Sequence, residues 1–273
     1  MRHVAPELVE RATAGDPAAL DELVRAVSDD IYRLAARMLW HPHDAEDATQ
    51  EILVKLLTRL STFRGDALFS TWAYRVAVNH LLSTRRRRAE QPALSFEAFA
   101  EDLARGLDEP YDARDVDEGL LAEEVKVGCT QAMLLCLDRP QRMAYILGEL
   151  FELPGEQAAE ILAVTPAAYR KRLSRARSRI EQFMRGHCGL LDPANPCRCE
   201  RRVGAAIRHG RVDPAQLLFA RGVRRPMEQM QRLEDAAAVL RSHPELRAPD
   251  RVADVIAHVL GRQSIRGVPA ADR

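Results

Sequence analysis

The sequence predicts an all-α protein: two helical modules joined by an acidic linker and followed by a helical, cysteine-containing extension. Three observations lead there. Apolar residues recur at three- and four-residue steps through most of the chain, the repeat of an amphipathic helix. Ala, Leu and Arg are abundant while alternating β-branched runs are scarce, which favours helix over strand. Clusters of Pro, Gly and Asp interrupt the periodic stretches where helices must stop and start.

The first element spans 17–40, where Leu20, Leu23, Val24, Val27, Ile31, Leu34 and Met38 form one apolar face behind the start signal Asp16-Pro17. The second spans 44–60. Asp44, Glu46 and Asp47 in its first turn complement the helix dipole, and Ala45, Ala48, Ile52, Leu53, Leu56, Leu57 and Leu60 make a buried stripe. Asp47, Gln50, Glu51, Val54 and Thr58 are left facing solvent as a candidate partner surface.

A loop containing Gly65 then leads into a helix that begins near Trp72 and Tyr74 and ends in Arg85, Arg86, Arg87 and Arg88. Aromatic rings beside a run of cations suit single-stranded nucleic acid, because bases stack on rings while cations hold phosphates. The same residues also fit a plainer reading, with Trp72 and Tyr74 as core side chains and the arginines as a solvated helix end.

Residues 89–122 hold Pro92, Gly106, Pro110 and Gly119 among many carboxylates, the composition of a linker. A second module follows over 123–186. It contains a short helix, a break at Val164-Thr165-Pro166 and a longer helix, with Thr165 as N-cap and Pro166 at the first helical position. Tyr169, Leu173, Ala176, Ile180 and Phe183 form its inner seam, and Arg170, Lys171, Ser174, Arg175, Arg177 and Ser178 its outer face. A basic, hydroxyl-bearing face on the second helix of a helix-turn-helix suits the DNA major groove; a basic surface helix without a DNA partner is the other reading.

Composition sets the outer bounds. At 273 residues, 47% hydrophobic and 29% charged, the chain is globular rather than disordered or fibrous. The 40 Lys and Arg balance the 40 Asp and Glu, so only the segregation of charge, basic at 85–88 and 170–179 and acidic over 97–124, points to nucleic acid. The N-terminus lacks the apolar stretch of a secretion signal, and no window approaches the roughly 18 apolar residues of a membrane span. A cytoplasmic protein without a membrane partner is expected.

The order of these modules resembles the extracytoplasmic-function (ECF) sigma factors of RNA polymerase. Residues 44–88 (DAEDATQEILVKLLTRLSTFRGDALFSTWAYRVAVNHLLSTRRRR) are similar to the family's region 2, within a module expected over 8–88. Residues 137–180 (LDRPQRMAYILGELFELPGEQAAEILAVTPAAYRKRLSRARSRI) are similar to its region 4. The resemblance implies a transcription initiation factor without catalytic residues, whose partners are core RNA polymerase, through its largest and second-largest subunits, and promoter DNA. A separate anti-sigma factor is a further partner it admits. Asp47, Gln50 and Glu51 would meet the clamp helices of the largest subunit. Arg64, Phe69, Trp72, Asn79, Arg85 and Arg86 would capture and melt the minus-ten element, with Phe63, Phe69 and Trp72 near an extruded base. The linker would thread toward the polymerase active-site channel. Arg170, Lys171, Ser174, Arg175 and Arg177 would face the minus-thirty-five element. Ser83, Gln157, Ala163 and the run Ala168–Lys171 depart from the family's usual residues. The competing function is a one-component helix-turn-helix regulator that senses metal or redox state and never engages polymerase.

The extension, 187–273, needs its own reading. His187, Cys188, Cys197 and Cys199 offer up to four soft ligands for zinc or copper(I), with His209 as a substitute, although no cofactor is required for the function. A redox-active cysteine pair and inert thiols are the rival readings. Cys129 and Cys136 are expected in the core. Met227, Met230, Leu233, Ala237 and Leu240 mark an amphipathic stretch, and the extension is expected to tune the two modules in cis.

Overall fold

A computed structural model describes residues 4–39, 41–83, 94–113, 116–220, 235–243, 246–252, 254 and 256. Among them every regular element is helical, and no helix is long and apolar enough to cross a membrane. The described residues fall into two compact units. One draws on 1–85, 159–164 and 246–273, the other on 86–158 and 165–245.

The first unit is a bundle of α1 (Pro6–Thr13), α2 (Pro17–Met38), α3 (Pro42–Arg59) and α4 (Phe69–Ser83). The Asp16 carboxylate caps α2 by accepting the N–H groups of Ala18 and Ala19 at 3.0 and 3.4 Å. α2 packs on α1 and α3, and α3 on α4. The expected faces are buried, with Leu23, Val24, Val27, Ile31, Leu34 and Met38 of α2 meeting Ala45, Ala48, Ile52, Leu53 and Leu56 of α3. Ala19 rather than Leu20 completes the α2 face. Tyr74 is 2% exposed, so the plainer reading holds for that ring. Each fully buried Leu or Ile contributes about 1.5–3 kcal/mol, and this stripe dominates the stability of the bundle.

The second unit contains α5 (Phe96–Arg105), α6 (Glu118–Leu135), α7 (Arg139–Tyr145), a π-turn at Ile146–Leu150, α9 (Pro166–His187), α10 (Val203–Arg208) and α11 (Ala236–Arg241). α8 (Gly155–Ile161) precedes the break before α9. The Thr165 hydroxyl accepts the Ala168 N–H at 3.2 Å, with Pro166 at the first helical position. Tyr169, Leu173, Ala176, Ile180 and Phe183 are all buried.

One expectation is corrected. The segment 89–122 is not an unstructured linker throughout, because α5 forms inside it. Ser95 caps it by accepting the Ala98 N–H at 3.1 Å. Phe96, Phe99 and Leu103 share one helical face and are buried. The rings of Phe96 and Phe99 lie 5.1 and 5.4 Å from that of Phe183 on α9, a spacing typical of attractive aromatic pairs. Of the amphipathic stretch in the extension, Met227, Met230 and Leu233 lie outside the described residues, whereas Ala237 and Leu240 are buried on α11.

Candidate nucleic-acid interface

In the first unit the chain leaves α3 through a 3-10 turn at Leu60–Thr62 and reverses at Gly65, whose φ of +78° suits a residue without Cβ. This turn brings Phe63 against Phe69 and Trp72. Phe63 meets Phe69 edge-on at 5.4 Å, and Trp72 lies 5.6 and 5.5 Å from the two phenylalanines. Phe69 is buried and forms the floor of this cluster, whereas Phe63 and Trp72 are half-buried. Beside them opens a cavity of about 710 Å³, lined by Val9, Thr13, Phe63, Arg64, Leu68 and Phe69 among others. Leu68 is 65% exposed at its rim. A cavity of this size can admit a planar base. Its second wall is α1, which the sequence reading had not picked out; Leu8, Val9 and Ala12 at a helical step were the available signal.

Arg64 and Asn79 are exposed, while Arg85 and Arg86 lie outside the described residues. On α3, Asp47, Glu51 and Val54 of the candidate partner strip are exposed and Gln50 is half-buried. Glu51 approaches the His80 ring nitrogen at 3.4 Å. Glu46, one residue before the strip, is buried and accepts from Arg251 Nε at 2.9 Å. The Ala248 N–H reaches Asp29 at 3.0 Å, and Arg25 meets Asp254 at 3.6 Å. Ala248, Arg251 and Asp254 of the extension therefore contact α2 and α3.

In the second unit α9 presents Arg170, Lys171, Ser174 and Arg175 to solvent. Arg177 is exposed too, but its guanidinium is paired with Glu149. Arg179 lies over the Phe96 ring at 5.1 Å, a cation–π contact that ties α5 to α9.

Three carboxylates of the linker, Asp102, Asp108 and Glu109, are paired with arginines of the extension. Asp102 is held by Arg202 at 2.9 Å and by Arg211 at 2.6 Å. Its carboxyl sits below the ordinary range because Arg211 hydrogen-bonds it, against the opposing effect of burial. Asp108 accepts from Arg201 at 2.8 Å, and Glu109 pairs with Arg208 at 2.6 Å. Gly106 and Gly204 permit this close approach, since a Cβ on Gly106 would lie 2.2 Å from Arg202 and one on Gly204 1.9 Å from the Glu109 carbonyl. The extension thus grips the segment from α5 to Glu109.

Among the described residues no group of three or more His, Cys, Asp or Glu stands at metal-coordination spacing. Of the residues read as candidate ligands, His187 is exposed with its ring 4.8 Å from that of Phe183, His209 lies beside Arg208, and Cys188, Cys197 and Cys199 are half-buried. Cys136 is buried as expected. Cys129, also expected in the core, is half-buried.

The sigma-70 region 2 family matches residues 23–91, and the sigma-70 region 4 family matches 128–180. The RNA polymerase sigma-H factor of Pseudomonas aeruginosa is 30% identical over 65% of this chain and 92% of its own length. The ECF RNA polymerase sigma-E factor of Escherichia coli is 32% identical over 64% of this chain and 91% of its own. SigW of Bacillus subtilis is 27% identical over 68% and 99%. A solved structure, that of CnrH in complex with the cytosolic domain of CnrY, is 22% identical with a TM-score of 0.46, over 66% of this chain and 96% of that one.

Proposed function

Because this chain belongs to the ECF family of RNA polymerase sigma factors, which direct transcription initiation at promoters, we propose the following division of labour among its residues. Asp47, Gln50 and Glu51 dock on the clamp helices of the polymerase's largest subunit. The cavity between α1 and the 63–70 loop receives a base extruded from the minus-ten element, with Phe63 and Trp72 as stacking surfaces and Arg64 and Asn79 on the neighbouring backbone. Arg170, Lys171, Ser174 and Arg175 read the minus-thirty-five element in the major groove, with Arg177 contributing only if it leaves Glu149. No step asks for covalent catalysis. The observation that carries this reading is the aromatic-lined cavity beside α4, because a simple helix-turn-helix regulator has no use for it. The one-component alternative is set aside for the same reason and because region 2 is present.

The extension regulates these modules in cis. Arg251 and Asp254 hold its last described residues on the helices that carry the polymerase-docking strip, and Arg201, Arg202, Arg208 and Arg211 hold the linker segment. Release of both contacts accompanies engagement of polymerase.

The test is promoter-dependent transcription with purified core polymerase and full-length protein. Discrete start sites are expected, lost on Trp72→Ala together with Phe63→Ala, shifted in promoter preference on Arg170→Ala with Arg175→Ala, and strengthened on Arg251→Ala. DNA binding without polymerase-dependent initiation would refute the reading of the first unit; unchanged activity of Arg251→Ala would refute regulation by the tail.

A further inference from the structure

Two turns along α9 from Arg170, about 10 Å farther down the axis, Arg177 returns to nearly the same side of the helix. The first turns of the second helix of a helix-turn-helix enter the major groove, so a cation two turns on stands near flanking phosphates rather than base edges. Arg177 is 57% exposed, yet its Nε and Nη2 both meet Oε1 of Glu149.

Glu149 is fixed where it stands. It lies in the π-turn Ile146–Leu150, whose backbone is seated directly on α9: a Cβ on Gly148 would lie 2.4 Å from the Tyr169 hydroxyl and 2.8 Å from Leu173. The Glu149 carbonyl accepts from Arg241 Nη1 of α11 at 2.8 Å, and the same side chain reaches Glu152 at 3.7 Å. The Glu149 side chain is only 13% exposed. α11 is in turn anchored beside Arg177, because the Ala236 N–H donates to Glu181 of α9 at 3.2 Å and the Asp235 carboxylate caps the helix at Ala238. Glu149, Glu181 and Asp235 line, with Arg177, a cavity of about 340 Å³ between the π-turn, α9 and α11. An exposed guanidinium is thus held by a carboxylate that cannot move out with it toward DNA.

We propose that Glu149 and Arg241 are positioning residues that withhold Arg177 from the DNA backbone, so that α11 of the extension sets how strongly α9 holds DNA. The inference rests on the reading of α9 as the DNA-facing helix. Release of Arg177 adds one phosphate contact to those open to Arg170, Lys171 and Arg175. Phosphate contacts carry no sequence information, so release raises affinity and its salt dependence and leaves sequence preference unchanged. One added contact steepens the fall of log affinity with log salt by about 0.9, or about 3.5-fold more affinity lost between about 50 and 200 mM salt. An ion pair with so exposed a cation adds little to stability, and its removal leaves the unit folded.

The test titrates full-length protein into a labelled DNA duplex of mixed sequence and reads the dissociation constant by anisotropy from about 50 to 200 mM potassium chloride. Glu149→Gln keeps the size of the side chain and removes its charge, and the slope is expected to steepen by about 0.9. The steepening should vanish in an Arg177→Ala background, whereas competition between duplexes of different sequence should not change. Arg241→Ala should move the slope in the same direction and add nothing to Glu149→Gln. An unchanged slope in Glu149→Gln overturns the proposal. So does a steepening that persists without Arg177, which reports only the loss of a negative charge near DNA. A parental slope in Arg241→Ala overturns the part given to α11. Arg170→Ala with Arg175→Ala separates the two levels. If that pair leaves the slope unchanged, the DNA-facing reading of α9 falls and the inference with it; if it flattens the slope and Glu149→Gln does not steepen it, only the inference falls.

Discussion

Glu124 on α6 is 2% exposed, and its carboxylate accepts the backbone N–H groups of Leu218, Phe219 and Ala220 at 2.7, 2.9 and 2.8 Å. One side chain thereby satisfies three consecutive peptide donors of the extension. A hydrogen bond to an ionised group is worth about 1.5–3 kcal/mol net, and an orphaned buried donor costs about 1–3 kcal/mol. The three bonds share a single desolvation penalty, so their simple sum overstates the effect. Removing one partner of a buried charged cluster costs about 3–5 kcal/mol, and Glu124→Ala is expected to destabilise the second unit by that amount. Glu124→Gln keeps one acceptor oxygen but turns an NH2 toward backbone donors, and about 2–3 kcal/mol is expected. Urea unfolding followed by circular dichroism gives the stability, and hydrogen exchange at residues 218–220 locates it. If Glu124→Ala unfolds within about 0.5 kcal/mol of the parent, the range of an ordinary surface change, and those amides stay protected, the carboxylate is not what holds the extension.

Gly148→Ala is expected to cost about 1–3 kcal/mol by overpacking, because the new methyl would lie 2.4 Å from the Tyr169 hydroxyl and 2.8 Å from Leu173; thermal denaturation should show part of the loss restored by Tyr169→Phe. Ala163 holds a φ of +51° in the break before α9, and Ala163→Gly should raise stability by about 0.5–1 kcal/mol in the same assay, since a left-handed alanine costs about 1–2 kcal/mol and the added chain freedom offsets some of the relief. Asp102 has a folded pKa below its unfolded one, so its contribution is full above about pH 4 and is lost as pH falls through the folded value. Limited proteolysis of the extension should therefore accelerate on acidification below pH 4 and do so less in Asp102→Asn, which starts out looser.

The helices of both modules were legible because burial is a periodic property of the sequence. The α2 and α3 stripes and the α9 seam could be read residue by residue, and the Thr165-Pro166 start of α9 followed from capping chemistry alone. α5 was not read as a helix because its three apolar residues sit among carboxylates that suggest a solvated linker. The partners that make those carboxylates tolerable, Arg202 and Arg211 on Asp102, lie about a hundred positions away. No local pattern carries that information. The same limit hid Phe69: spacing marks it as aromatic and near a turn, but only packing assigns it to the floor of the cluster and leaves Phe63 and Trp72 to face an incoming ring.

The cysteines show the limit most clearly. Reading along the chain grouped His187 with Cys188, Cys197 and Cys199 because they are neighbours in sequence, and it separated Cys129 because that residue lies on a helix face among apolar side chains. The helix ending at His187 turns its imidazole onto Phe183, while the face of α6 that carries Leu121 and Val125 is the one the extension covers. A ligand set drawn from two elements is visible to sequence reasoning only where both elements announce themselves, as paired CxxC motifs do. Cys129 is a single cysteine on a helix face, indistinguishable by pattern from Cys136, seven residues farther on. What separates the two is the environment each meets: Cys136 is buried and Cys129 only half-buried.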